Sequence, residues 1–116
     1  MVTLFSATTR ATATGPVVTI GGELDVATAP RLRAELDAAP LERGQLLVVD
    51  LAEITFCDSS GISTLIAARD VAEAAGAALA LVAVPARLSR TFSLIGLGSF
   101  FPTFPTAEAA ITAHSP

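Results

Sequence analysis

The sequence predicts one α/β domain, residues 1–116, with a mixed, mostly parallel β-sheet, an N-terminal edge hairpin and about four helices. Three observations support this prediction. Strand patterns alternate with helix patterns along the chain, two interior strands are continuously apolar, and 116 residues is a common length for one domain. Strand–helix–strand passages join parallel strands by right-handed crossovers, so the interior strands should lie side by side.

The N-terminal part predicts a hairpin followed by an amphipathic helix. β-Branched residues and the turn at Gly15-Pro16 indicate two paired strands. Apolar residues then recur at helical spacing after Pro30, which suits a first helical turn. The predicted elements are strands Val2–Ala11 and Pro16–Gly22 and a helix Thr28–Ala39.

Strands and helices alternate through the rest of the chain. The helix after the central strand should stop at Gly76, and Pro85 should open the next one, which contains Leu88, Phe92 and Ile95. The predicted elements are strand Gln45–Leu51, helix Ser60–Ala75, strand Ala78–Val84, a helix from Pro85 to near Gly96, a short strand at Phe101–Phe104 and a helix Thr106–Ala113.

The composition disfavours several classes of partner. The formal net charge is −4, and the seven basic residues, all arginine, are scattered along the chain. Direct binding to nucleic acid needs a concentrated basic face, so a protein partner is favoured. The longest apolar tract, Ala74–Ala86, contains Gly76 and Pro85. It falls short of the roughly 20 apolar residues that cross a bilayer, so we expect no membrane insertion.

The remaining composition points to a cytoplasmic protein without a bound metal. The first residues lack the pattern of a secretory signal. The single cysteine, Cys57, cannot form an internal disulfide, and neither it nor the single His114 belongs to a metal-ligand cluster. The sequence shows no Gly-rich phosphate-binding loop. We therefore expect no cofactor, while nucleotide binding and dimerisation stay open.

The segment Asp58-Ser59-Ser60-Gly61 lies where the central strand ends and the next helix begins. Binding sites of open α/β sheets collect at the carboxyl ends of strands, and a helix start offers N–H groups that stabilise an added phosphate. On local pattern alone, a helix cap is the commoner explanation of these residues. However, the capping box is absent, and one cap does not account for both serines.

A second polar cluster, Gly21–Asp25, follows the second predicted strand. In the predicted topology it emerges at the same end of the sheet as Ser59. Taken alone, it is an acidic turn in which glycine permits the backbone and Asp25 favours the helix N-terminus. Only its pairing with the Ser59 segment makes it a candidate site.

Three motifs follow one another along the chain: Gly22–Asp25, Val48–Leu51 and Phe56–Ile62. Together they resemble the STAS domain, and most closely that of the anti-sigma factor antagonists. The segment Phe92–Leu97, with residues 100–101 and 108–110, is similar to the C-terminal part of that family, so the resemblance spans nearly the whole chain. Two positions depart from the family pattern. Cys57 stands where family members often have another apolar residue, and Ser93 stands where an acidic residue is common.

The resemblance implies a partner-switching regulator and not an enzyme, with no catalytic residue. The unmodified protein would bind an anti-sigma factor that is also a serine kinase, and would so release a sigma factor. Phosphorylation of Ser59 would end this binding, and a serine phosphatase would restore it. The resemblance implies five partner-binding residues. Asp25 and Asp58 would flank the contact surface, and Gly61 would allow close approach of the partner. Ser60 would support the loop and donate a hydrogen bond to Asp58, and Ile62 completes the set.

Other interpretations stay open. A STAS adaptor in a lipid-transport or stress-signalling assembly would have the same fold without phosphorylation. Cys57 as an enzymatic nucleophile would need a base, and the single histidine, His114, lies near the end of the chain, so an inert buried thiol is favoured. The apolar tract Leu97–Phe104 is expected to pack in the core and not against a membrane.

Overall fold

A five-stranded mixed sheet forms the centre of the computed structural model, which describes residues 4–114. The strands, in spatial as in chain order, are β1 (Ser6–Thr12), β2 (Gly15–Leu24), β3 (Leu46–Cys57), β4 (Ala78–Val82) and β5 (Thr103–Phe104). The helices within this range are α1 (Ala29–Ala38), α2 (Ser59–Ala74), α3 (Ala86–Leu94) and α4 (Ala107–His114). β1 pairs antiparallel with β2, and every other pairing is parallel, as the sequence predicts.

The helices divide unequally between the two faces of the sheet. Three helices, α1, α2 and α3, pack on one face, where Leu32, Leu65 and Phe92 join the larger core. They share that face because each crossover between neighbouring parallel strands has the same right-handed sense. α4 covers part of the other face through Ala107 and Ala110. β3 and β4 are therefore covered on both sides, which explains their uninterrupted apolar runs.

β3 is longer than the sequence predicts and reaches Cys57 instead of ending at Leu51. The mostly apolar run of this strand ends at Leu51, and the turn is expected around Cys57 and Asp58. However, β2 stays paired with β3 as far as Leu24 and Cys57, whereas β4 pairs only with Leu46–Asp50. Backbone pairing with β2 thus carries β3 beyond its apolar run to the candidate site.

Smaller differences arise at other element ends. β4 stops at Val82 because Ala83 adopts a left-handed conformation, with φ of 54°. α3 stops at Leu94, and Ile95 caps it with its side chain 54% exposed. Part of the first predicted strand, residues 2–3, lies outside the described residues.

The end of α2 and the C-terminal tract agree with expectation. Gly76 has a φ of +74°, which favours glycine and stops the helix. Phe101 is buried, and Phe100 meets it edge-on at 4.9 Å while Arg69 lies over the Phe100 ring at 4.4 Å. Among residues 4–114, no helix combines the length and apolar character needed to span a membrane.

Candidate functional site at the ends of β2 and β3

Two turns meet at the carboxyl edge of β2 and β3. The parallel register pairs Glu23 with Phe56 and Leu24 with Cys57. Directly beyond this pairing, the Asp58 N–H donates to the Leu24 carbonyl at 3.2 Å. The turn after β2 and the start of α2 therefore lie side by side, as the predicted topology requires.

Asp58 caps α2, and neither serine does. Its backbone is extended, with φ −99° and ψ −170°, and its Oδ1 accepts the Ser60 N–H at 2.9 Å and the Gly61 N–H at 3.3 Å. Both serines therefore stand in the first helical turn. Ser59 is exposed and Ser60 is half-buried. The expected acceptor role of Asp58 toward Ser60 is met through the backbone N–H of Ser60.

Gly61 and Ile62 face the interior of this chain. Ile62 is 6% exposed and belongs to the larger core. A Cβ on Gly61 would lie 2.7 Å from both Cys57 Sγ and Leu24 Cγ, so the glycine lets α2 approach the ends of β2 and β3. The close approach that the structure shows here is internal. A role of these two residues in partner binding stays a prediction.

The Asp25 turn is held by its own hydrogen bonds. Asp25 Oδ1 accepts from the N–H groups of Ala27 at 2.9 Å and Thr28 at 3.1 Å. Thr28 Oγ1 donates to the Glu23 carbonyl and accepts from the Asp25 N–H, both at 2.9 Å. Asp25 thus fixes a turn that presents Val26, which is 74% exposed. Sequence reasoning missed Thr28 at the site, although an Asp followed by Thr three residues later is a spacing that supports mutual capping.

Cys57 lies under the start of α2 and is a poor nucleophile. Burial first, and the neighbouring Asp58 charge second, raise the pKa of its thiol to about 11. The thiol therefore stays protonated near neutral pH, and the thiolate is the reactive form. The His114 ring bonds to the Gly44 carbonyl at 2.9 Å, at the opposite end of β3. The structure thus offers no support for Cys57 as an enzymatic nucleophile.

The edge carries carboxylates but no cluster suited to a metal ion. One carboxylate oxygen of Asp25 and one of Asp58 accept hydrogen bonds from backbone N–H groups. Within the part of the chain that the structure describes, no three His, Cys, Asp or Glu side chains converge as metal ligands. The chemistry that this edge supports is presentation of the Ser59 hydroxyl beside fixed negative charge.

Comparison with known proteins identifies the family. A family model described as Mlab, STAS domain, matches residues 7–103. The anti-sigma-B factor antagonist of Bacillus subtilis is 32% identical over 95 residues, covering 81% of this chain and 85% of that protein. This chain belongs to the STAS family of anti-sigma factor antagonists. The anti-sigma-B factor antagonist of Listeria monocytogenes is 31% identical over 78 residues, which cover 67% of this chain and 68% of that protein.

Solved structures agree with the STAS assignment. An anti-sigma factor antagonist from Mycobacterium paratuberculosis superposes with a TM-score of 0.78 at 29% identity, covering 95% of this chain and 93% of that one. SpoIIAA of Bacillus in its phosphorylated form gives a TM-score of 0.69 at 22% identity, covering 97% of this chain and 100% of that one. The second likeness shows the fold alone.

Proposed function

We propose that this STAS chain works by partner switching. In this proposal the unphosphorylated protein binds an anti-sigma factor that is also a serine kinase, and phosphorylation of Ser59 ends the binding. The observation that carries the proposal is the position of Ser59, exposed on the first residue of α2 beside Asp58 and the Asp25 turn. The general antagonist role is supported by the curated relatives, which are anti-sigma-B factor antagonists.

Electrostatics supports a switch without refolding. A phosphate adds roughly −1.5 to −2 charges at neutral pH. A helix start would ordinarily stabilise that charge through free N–H groups. Here the Asp58 carboxylate already accepts hydrogen bonds from two of those groups, the N–H groups of Ser60 and Gly61. Its negative charge therefore offsets part of the positive charge of the helix start. A partner covering this edge would then have to desolvate a phosphate beside a carboxylate, and each loss of about 1.4 kcal/mol weakens binding tenfold.

Rigidity of the edge supports direct docking. The Asp25 turn and the capped start of α2 are each fixed by hydrogen bonds within this chain. A partner therefore meets a surface that is already formed, which lowers the entropy lost on binding. Val26 and Phe56 add exposed apolar area, being 74% and 50% exposed. We assign both to the contact surface, together with Asp25, Asp58 and Ser60.

The proposal includes the cellular setting. Reversal of the switch needs a serine phosphatase, since the phosphate ester has to be hydrolysed before the partner can bind again. The switch ends in release of a sigma factor, which acts in transcription, so we place the protein in the cytoplasm.

Phosphate transfer to defined variants tests the proposal. The parent protein, Ser59→Ala and the matched control Ser60→Ala are incubated with ATP and with the kinase that co-purifies with Ser59→Ala from its own cells. We expect one phosphate on the parent and on Ser60→Ala, located at Ser59 by mass spectrometry, and none on Ser59→Ala. Equal labelling of Ser59→Ala and the parent would show that the site is wrong.

A STAS adaptor is the second candidate, because the matching family model is described as Mlab and not as an anti-sigma factor antagonist. An adaptor would bind its assembly without a phosphorylation cycle. Phosphoserine mapping of protein isolated from its own cells separates the two candidates. A modified Ser59 supports the switch, whereas an unmodified Ser59 together with co-purification of a transport ATPase supports the adaptor.

A further inference from the structure

A cavity lies between the C-terminal halves of α1 and α2, at the far end of both helices from Ser59. It has a volume of about 190 Å³. Its floor is Leu47, which is 4% exposed, and Leu36 and Leu41 form one wall. Val71, 52% exposed, stands at the mouth. Four alanines also line it, at positions 39, 68, 72 and 75.

The small side chains explain why the space is open. Protein interiors hold few voids larger than a water molecule. The alanine side chains add little bulk between α1 and α2, so Leu36 and Leu41, which pack against the core on one side, stay only half-buried. An apolar cavity of about 150 Å³ is large enough to bind benzene. The lining and the size therefore suit a branched aliphatic or phenyl group.

One cation and one anion line the same cavity. Arg33 Nε lies 3.8 Å from Asp37 Oδ1, and the two side chains are 53% and 61% exposed. Charge-assisted hydrogen bonds span about 2.7–2.9 Å, so this ion pair leaves hydrogen-bonding capacity on both groups. An exposed pair of this kind contributes little stability, and a ligand can rearrange it at small cost.

We propose that this cavity binds an apolar amino acid as its zwitterion. The side chain, of leucine or phenylalanine size, enters between α1 and α2. The carboxylate meets the Arg33 guanidinium, and the ammonium meets Asp37. A ligand with only a carboxylate would leave Asp37 without an opposite charge, and a ligand with only an ammonium group would leave Arg33 without one. Both charges of the zwitterion are therefore needed.

The cavity is separate from the partner-binding edge. α2 has 16 residues, and a rise of 1.5 Å per residue makes it roughly 24 Å long. Ser59 stands at its first residue, whereas Val71 and Ala75 lie at its other end. A bound amino acid thus leaves Ser59 accessible to a partner.

Calorimetric titration with three related probes tests the proposal. The probes are L-phenylalanine, 3-phenylpropionate and 2-phenylethylamine, with L-leucine as a second amino acid. We expect saturable binding of both amino acids, with each singly charged probe roughly three- to fivefold weaker, as the loss of one exposed charged contact implies. No saturation by either amino acid up to about 20 mM, the weak end for so small a ligand, would overturn the proposal. Equal affinity of the three phenyl probes would also overturn it, because the cavity would then recognise only the ring.

Variants locate the binding. Val71→Phe fills the mouth from a half-exposed position, so the core stays intact, and it should weaken phenylalanine binding at least tenfold. Leu94→Phe, at an exposed position of α3 outside the cavity lining, is the matched control and should bind as the parent does. Arg33→Gln should bring phenylalanine to the affinity of 2-phenylethylamine, whereas Arg90→Gln on α3 should change nothing. Unchanged binding by a folded Val71→Phe variant would place the ligand elsewhere and refute the assignment.

Discussion

Replacing Gly61 by alanine tests how the start of α2 is packed onto the sheet. The new Cβ would lie 2.7 Å from Cys57 Sγ and Leu24 Cγ and 2.8 Å from Leu24 Cδ2, where ordinary contacts begin at 3.4 Å. Since Leu24 is fully buried, it cannot swing into solvent. Overpacking of this kind costs about 1–3 kcal/mol, while alanine recovers up to about 1 kcal/mol of helix propensity. We expect a net loss of about 1–2 kcal/mol of unfolding free energy.

Urea unfolding of Gly61→Ala measures this loss, and thermal unfolding should show a fall in Tm of roughly 4 °C per kcal/mol. Gly98→Ala is the matched control. Its Cβ would meet the exposed Ser93, with Oγ at 3.3 Å and Cα at an ordinary 3.6 Å, so its stability should stay within about 0.5 kcal/mol of the parent. A Gly61→Ala protein as stable as the parent would refute the packing argument, because helix propensity would then outweigh the contacts.

Other substitutions and conditions test individual contacts. Asp58→Ala removes the α2 cap and should cost about 1 kcal/mol in urea unfolding, with Asp58→Asn recovering most of it; equal stability of all three proteins would contradict the capping role. Thr28→Val leaves the Glu23 carbonyl and the Asp25 N–H without their bonds and should cost about 1–3 kcal/mol, whereas Thr28→Ser should cost little; a Thr28→Val protein with parental stability would count against the bonded turn. Cys57 should react with iodoacetamide at pH 8 roughly a hundredfold more slowly than a thiol of pKa 9.0, since its pKa is about 11; parental reactivity equal to that of the free thiol would contradict its burial. The same raised pKa gives a stability contribution that is complete below pH 9 and is lost as pH rises from 9 through 11, which Cys57→Ala should abolish in urea titrations.

The sequence predicts well the features that depend on neighbouring residues. The end of α2 follows from Gly76, and the hairpin follows from the β-branched run and the Gly15-Pro16 turn. The proximity of Ser59 to the Asp25 turn follows from topology, because parallel strands that are neighbours end at the same edge. Each of these inferences needs only local chemistry and one rule of chain connection.

Features that depend on distant contacts could not be predicted. The last residues of β3 lie beyond its mostly apolar run, and they are in strand conformation because β2 pairs with them. The contacts of Gly61 with Leu24 and Cys57 exist only once α2 is folded over the sheet. The sequence alone therefore does not indicate that this glycine allows close packing inside the chain as well as the expected close approach of a partner. Likewise, Asp58 is distinguished from Ser59 and Ser60 as the cap only by the backbone geometry at the end of β3.

Binding of the partner to the two forms of this protein is the decisive comparison. The kinase that modifies Ser59 is titrated by calorimetry with unmodified protein and with protein carrying a single phosphate, under the same salt and pH. Partner switching predicts a dissociation constant at least about a hundredfold larger for the phosphorylated form, equivalent to about 2.8 kcal/mol. Equal affinities would show that added charge at the start of α2 does not displace the partner, and the proposed mechanism would be wrong.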